Sequence, residues 1–376
     1  MELMASGKVE TAPQAASLRL EDTALRHKIR EYAKHQRKDL RTNATDALRF
    51  GLGQIRDEIR ELENLSVKDV HGLAGRIKRR KHATTEDMYR LSHAFLQSND
   101  NINAFAATQG AAQVIVKELT GANVQRQIDA AECLCNLSLG EAHVCEKITT
   151  LAGSYLVTYL NSQESRLKRS CLWTLANILA SCQKSAKTLL QMQLATKLWK
   201  LYTNDAQDYA EDAGICLHLI ATHAGSLLPA EDRRYIAEHL HEKQPRQPGG
   251  EYYMYIVFQL DLVGLESKLC ASKLQHFIEF FLSSSELDYN NLKQQLQIVY
   301  GVQVLSNIFA TLSSIELKQQ LDIENLINAL NKLFVLGNAS LTKILLQLLR
   351  NLMNLNVFNK EQLLGQLRVY DCPISV

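Results

Sequence analysis

The sequence predicts an all-α chain built as a helical solenoid, with a basic helical arm in front of it. Three observations carry this. Apolar residues recur at helical spacing through stretches such as "KRSCLWTLANILASC", Lys168 to Cys182. That stretch has counterparts on both sides, in "AAECLCNLSL", "DAGICLHLIA", "MYIVFQLDLV", "YGVQVLSNIF" and "ILLQLLRNLM". Strand signals are weak, since β-branched runs are short and turn residues do not fall at hairpin spacing.

Aligning the counterparts matches Asn177 with Asn136, His218, Gln259, Asn307 and Asn351, at spacings of 41, 41, 41, 48 and 44 residues. A period near 40 residues marks an armadillo- or HEAT-type right-handed solenoid, in which each unit stacks its apolar helix on the next. The segment "MYRLSHAFLQSND" lies about one period before Asn136 and reads as a capping or first repeat. Residues 83–370 then hold about six or seven repeats, with 371–376 as a tail. Between the apolar helices, "LTGANVQ", "LNSQESR", "LYTNDAQD" and "LGNASLT" carry helix-ending and helix-starting residues. In "HEKQPRQPGGEYY", Pro245, Pro248 and Gly249–Gly250 break any helix. Because the spacing across this break stays at 41, it replaces helix within a repeat and reads as a surface loop.

Composition agrees with a folded chain. At 376 residues the length exceeds one ordinary core, while 46% apolar content with 5 Pro and 17 Gly excludes wholesale disorder. The longest apolar runs are broken by Asp261 and Arg350, and the N-terminus lacks an apolar segment behind a basic start, so neither a membrane span nor a secretory signal is expected. Eight scattered cysteines form no CxxC pair and read as reduced, structural residues. The net charge of +2 hides a division. Residues 1–82 hold 18 Lys+Arg against 12 Asp+Glu, a net of +6, which leaves the other 294 residues at −4.

A polar residue recurring at one helical position makes a row along the surface that the repeated helices line, which in a solenoid is concave. Asn suits such a row. Its carboxamide offers donors and an acceptor, enough to hold the backbone of an extended peptide. Trp173, one turn before Asn177, would flank a Lys stem. The alternative is that the amides cap or bond within the packing of the repeats, and that Trp173 is core. The run "NDAQDYAED" offers Asp205, Asp208, Glu211 and Asp212 either to cations of a partner or to the start of the next helix.

"WTLAN", Trp173 to Asn177, resembles the Trp/Asn array of importin-α, the armadillo adaptor that binds basic nuclear localisation signals. The Trp positions of the other repeats are Glu132, Gly214, Tyr255, Gln303 and Gln347, so the indole row is mostly absent here. The stretch "AAECLCNLSLGEAHVCEKITTLAGSYLVTYLNSQESRLKRSCLWTLANIL" is similar to the transmembrane and coiled-coil domain-containing protein 6 family, a divergent importin-α-like group, over about residues 125–200. The basic stretch with Arg26, Lys28, Arg30, Lys34, Arg37, Lys38 and Arg41 is similar to the importin-β-binding segment of importin-α. The resemblance implies a nuclear import adaptor that shuttles between cytoplasm and nucleus. Its partners would be an importin-β-type receptor on the arm and a protein cargo with an extended segment on the amide row. A scaffold or dedicated chaperone for one protein partner is the alternative.

After the arm, "ALRFGLGQIRDEIRELENL" reads as an amphipathic helix. The cluster "GRIKRRKH", with Arg76, Lys78, Arg79, Arg80 and Lys81, reads as a localisation signal or as a segment that occupies the chain's own groove. Nucleic acid is not expected as a partner, because the body is acidic and the arm lacks interleaved aromatics. Phosphate-loop, serine-hydrolase, zinc-protease and dinucleotide motifs are absent, so no enzyme, cofactor or metal is expected.

Overall fold

The computed structural model describes residues 65–204, 209–243, 247–263, 271–311, 323–355 and 365–367. The basic arm and the amphipathic helix after it lie outside the described residues, as do Asp205 and Asp208. Among the described residues there are sixteen α-helices and no strand, and the chain is an all-α solenoid. It divides into two compact units, residues 1–192 and 193–376.

In the first unit the helices are α1 (Val67–Arg80), α2 (Thr85–Gln97), α3 (Asn99–Ala107), α4 (Ala111–Leu119), α5 (Val124–Leu137), α6 (Ala142–Tyr159), α7 (Ser165–Ser181) and α8 (Gln183–Leu190). The repeated helices stack in order, α2 on α5 and α5 on α7, while α4 backs α5 and α6 with α8 backs α7. Local chemistry sets the ends. Ser66 and Asp69 close a capping box on α1, Thr84 and Asp87 close another on α2, and the Asn123 side chain accepts from Arg126 N at the start of α5. Each such cap stabilises its helix by roughly 1 kcal/mol.

The second unit holds α9 (Leu194–Thr203), α10 (Ala210–His223), α11 (Ala230–Glu238), α12 (Tyr253–Gln259), α13 (Ala271–Ser284), α14 (Leu292–Thr311), α15 (Ile323–Val335) and α16 (Ala339–Asn354). Here α10, α12, α14 and α16 stack in sequence, backed by α9, α13 and α15. Asn338 caps α16 by accepting from Leu341 N.

The Pro/Gly-rich break before α12 does replace helix, and α12 keeps only seven residues. It is anchored inward rather than lying loose on the surface. The Lys243 side chain is fully buried, its ammonium donating to Tyr202 O at 2.8 Å and Pro248 O at 2.7 Å and lying 4.0 Å from the Tyr202 ring centroid. The Tyr202 hydroxyl in turn donates to Gly249 O at 2.8 Å. Gly249 has φ +80°, and a Cβ there would lie 3.0 Å from Ala210 O, so both conformation and space require glycine. A buried ammonium is tolerable only when its donors are matched, and two carbonyls and a ring face do that here.

Next to this anchor, His276 Nε2 lies 3.0 Å from the Tyr253 hydroxyl, which donates to Leu240 O at 3.2 Å. Burial, with the nearby His241, lowers the pKa of His276 from 6.5 to about 4. The fold therefore holds the neutral ring. Its contribution is complete above the unfolded value of 6.5 and is lost as pH falls toward 4. At most about 3 kcal/mol is at stake. The advantage in melting temperature of wild type over His276→Gln should shrink as pH is lowered from about 7 to about 4. A gap that stays constant across that range would show that this ring is not the titrating group.

Candidate binding site along the repeated helices

The structure places Asn136 on α5 and Asn177 on α7, which stack on each other within the first unit. The Asn136 amide donates to Ser92 O at 3.2 Å and to Ser92 Oγ at 2.6 Å, on α2. The Asn177 amide donates to Cys135 O at 3.3 Å and to Ser138 Oγ at 2.9 Å, at the end of α5. Ser138 Oγ donates to Cys135 O at 2.6 Å, which closes a three-membered set. Asn177 is only 1% exposed, and its Oδ1 is buried with no hydrogen-bond partner among the described residues. Trp173 is buried beside it on α7.

The second unit repeats the arrangement at its far end. Asn351 on α16 donates to Ser306 O at 2.9 Å and to Ser306 Oγ at 3.0 Å, on α14. Its Oδ1 accepts from Gln347 at 3.1 Å. In all three cases one carboxamide reaches back one repeat to a backbone carbonyl and a serine hydroxyl. These donors are engaged within the stack. The serines were not singled out from the sequence, although Ser138 and Ser306 stand within two residues of Asn136 and Asn307, a pairing visible in "NLS" and "SN". Asn307 on α14 is exposed, and Gln259 on α12 is half-buried.

His218 on α10 is buried against aromatic rings, 4.3 Å from Tyr255 and 5.5 Å from Tyr252 between centroids. Tyr255 continues the row to Tyr300, edge to face at 4.8 Å, and its hydroxyl pairs with Thr222 at 2.8 Å. Glu211 is exposed and Asp212 buried in the first turn of α10. Thus the acidic pair stands at a helix start, where the dipole favours carboxylates.

The positions that would carry tryptophan are occupied by packing of other kinds. Glu132 accepts from Arg166 of the following repeat at 2.8 Å. At Gly214 a Cβ would come within 2.9 Å of the Tyr202 ring and 3.0 Å of the Tyr252 ring, so no larger side chain fits. Tyr255 is committed to His218 and Tyr300, and Gln347 to Asn351.

The cysteines described are free and buried, and burial pushes the thiols of Cys133, Cys135, Cys171 and Cys216 up, that of Cys135 to about 12. No group of three or more His, Cys, Asp or Glu among the described residues could hold a metal ion. No described helix is long and apolar enough to cross a membrane.

The bonds made by Asn177 imply a stability role that can be separated from ligand contact. Asn177→Ala should lower unfolding free energy by about 1–3 kcal/mol in denaturant titrations. A double-mutant cycle with Ser138→Ala should show coupling above about 0.5 kcal/mol. An Asn177→Ala protein as stable as wild type would assign the amide to something outside the stack.

No family model matches the chain. Among solved structures, a designed armadillo-repeat protein in complex with the peptide (KR)4 is 17% identical, with a TM-score of 0.41 over 76% of this chain and 99% of that one. A second designed armadillo-repeat protein is 17% identical, with a TM-score of 0.43 over 75% of this chain and 99% of that one. An engineered protein is 18% identical, with a TM-score of 0.42 over 76% of this chain and 97% of that one.

Proposed function

We propose that the chain is a non-enzymatic helical-repeat adaptor for nuclear import, a divergent relative of the importin-α-like group. It would hold a protein cargo on the surface lined by its repeated helices. An importin-β-type receptor would bind the basic stretch that contains Arg26 to Arg41. The observation that carries this reading is the joining of that stretch, with Arg26, Lys28, Arg30, Lys34, Arg37, Lys38 and Arg41 against Glu31 and Asp39, to a helical solenoid whose own residues are net acidic. A basic segment of this kind suits an acidic receptor surface. Shuttling between cytoplasm and nucleus follows from the same reading.

The packing along the repeated helices shapes the proposal. The amide donors of Asn136, Asn177 and Asn351 bond inside the stack, and Trp173 is buried. Lysine-rich signals of the ordinary kind would therefore find neither an open amide row nor indole slots. Cargo would be recognised through exposed groups such as Asn307 and Glu211 and through surface shape. The same committed amides favour a second reading, a scaffold for one protein partner with no part in transport.

The two readings part at the arm. Purified importin-β should be retained by the full chain and lost when Arg37, Lys38 and Arg41 are all changed to Glu, with retention falling as salt is raised. Failure of the wild-type chain to retain importin-β at low salt would remove the import reading and leave the scaffold.

A further inference from the structure

The cluster "GRIKRRKH" is the sequence feature that the adaptor reading leaves unused, and the structure gives it a definite form. It is the last turn of α1 and the turn that follows, folded onto the first unit. Val70, Leu73, Ala74 and Ile77 bury one face of α1. Arg76 donates to the buried Asp87 carboxylate at 2.7 Å. Burial works against charge on Asp87, but hydrogen bonds from the Thr84 backbone and hydroxyl and from Arg76 prevail and hold its pKa below the ordinary value. The Lys78 stem lies across Gly110 at the start of α4.

Lys81 ends the helix in the left-handed region, its N–H reaching Ile77 O and Lys78 O. Its own carbonyl accepts from Lys117 at 3.3 Å. The next two residues are tied down as well. His82 Nδ1 lies 2.6 Å from Glu118 Oε1, and Ala83 N donates to the same oxygen at 3.3 Å. Presenting this cluster as an extended signal, whether to a receptor or to the chain's own groove, would require breaking these bonds and exposing the apolar face of α1.

What the fold leaves outward is a set of cations carried on a fixed backbone. Lys78, Arg79, Arg80, Lys81 and Lys117 are exposed, and Arg126 stands beside them with its guanidinium 3.7 Å from Glu118 Oε2. The carboxylates tied to this corner, Asp87 and Glu118, are buried and already engaged. We propose that this corner is a preformed basic docking face for an acidic segment of a partner protein. Charge complementarity names the occupant. The surplus of cations has no carboxylate among those buried groups left to neutralise it, and a backbone already folded needs no ordering on binding. A protein segment is favoured over nucleic acid because it can confine its acidic residues to the corner, whereas a phosphate backbone carries charge all along its length and would be repelled beyond the corner by the residues after 82, which are net acidic.

The test measures binding of a fluorescent octaglutamate peptide and of a twelve-nucleotide oligothymidylate to the full chain at low salt. Variants are the corner triple Arg79→Glu, Arg80→Glu and Lys117→Glu, its neutral counterpart with Gln at the same positions, and the arm triple with Glu at 37, 38 and 41. Octaglutamate should bind, weaken about tenfold or more in the corner Glu triple, weaken less in the Gln triple, and change by less than about threefold in the arm triple. The Gln triple should melt like wild type and so separate charge from folding. No binding by wild type, loss confined to the arm triple, or tighter capture of the oligothymidylate through the corner residues would each overturn the proposal.

Discussion

A carboxamide placed between stacked helices has to bond to something, because a buried donor left unmatched costs about as much as several favourable contacts supply. In this chain it bonds to the repeat before it. Asn136, Asn177 and Asn351 each reach a backbone carbonyl and a serine hydroxyl of the neighbouring repeat, and for Asn177 the carbonyl, Cys135 O, is one of the last four of its helix, which lack partners within the helix itself. Apolar packing is indifferent to small slides of one helix along another, whereas a two-point hydrogen bond is not. The amide thus sets the register in which the leucine-rich faces meet, and the serine hydroxyl makes the bond specific to one position along the neighbouring helix.

Commitment of the amides constrains what their neighbours can be. A tryptophan one turn earlier is useful only if the adjacent amide is open to a bound backbone. With the Asn136 amide closed, the position one turn before it is free for other packing. Glu132 pairs with Arg166 across repeats, and Gly214 admits two tyrosine rings that no side chain could share. In the second unit the row is aromatic, running from Tyr252 through His218 and Tyr255 to Tyr300. Here the stack is held by ring faces and edges, which tolerate less sliding than aliphatic contacts.

The repeat was legible because its period is set by helix length plus turn, which apolar spacing records directly. Asn123 and Asn338 were readable as helix starts for the same local reason, and both cap as their motifs imply. The role of the amides was less so, since an Asn in a row looks alike whether it faces a ligand or a neighbouring carbonyl. Only the serine one period away distinguishes the cases, and Ser92 precedes Asn136 by 44 residues. Helix α1 was missed although Ser66 with Asp69 and Thr84 with Asp87 spell two capping boxes around it. Its dense charge drew attention away from Val70, Leu73, Ala74 and Ile77. The burial of Lys243 had no sequence signal at all, because a lysine in a Pro/Gly-rich break is by default a solvated one.

Two basic elements look similar in the sequence. One is the stretch around Arg26 to Arg41, whose cations stand close together with few carboxylates between them. The other is the corner at the end of α1, where helix geometry, the Arg76–Asp87 pair and Glu118 fix the backbone that carries the cations. Binding to a corner whose backbone is already folded spends none of its interaction energy on ordering that backbone. The corner therefore suits selective binding with few contacts.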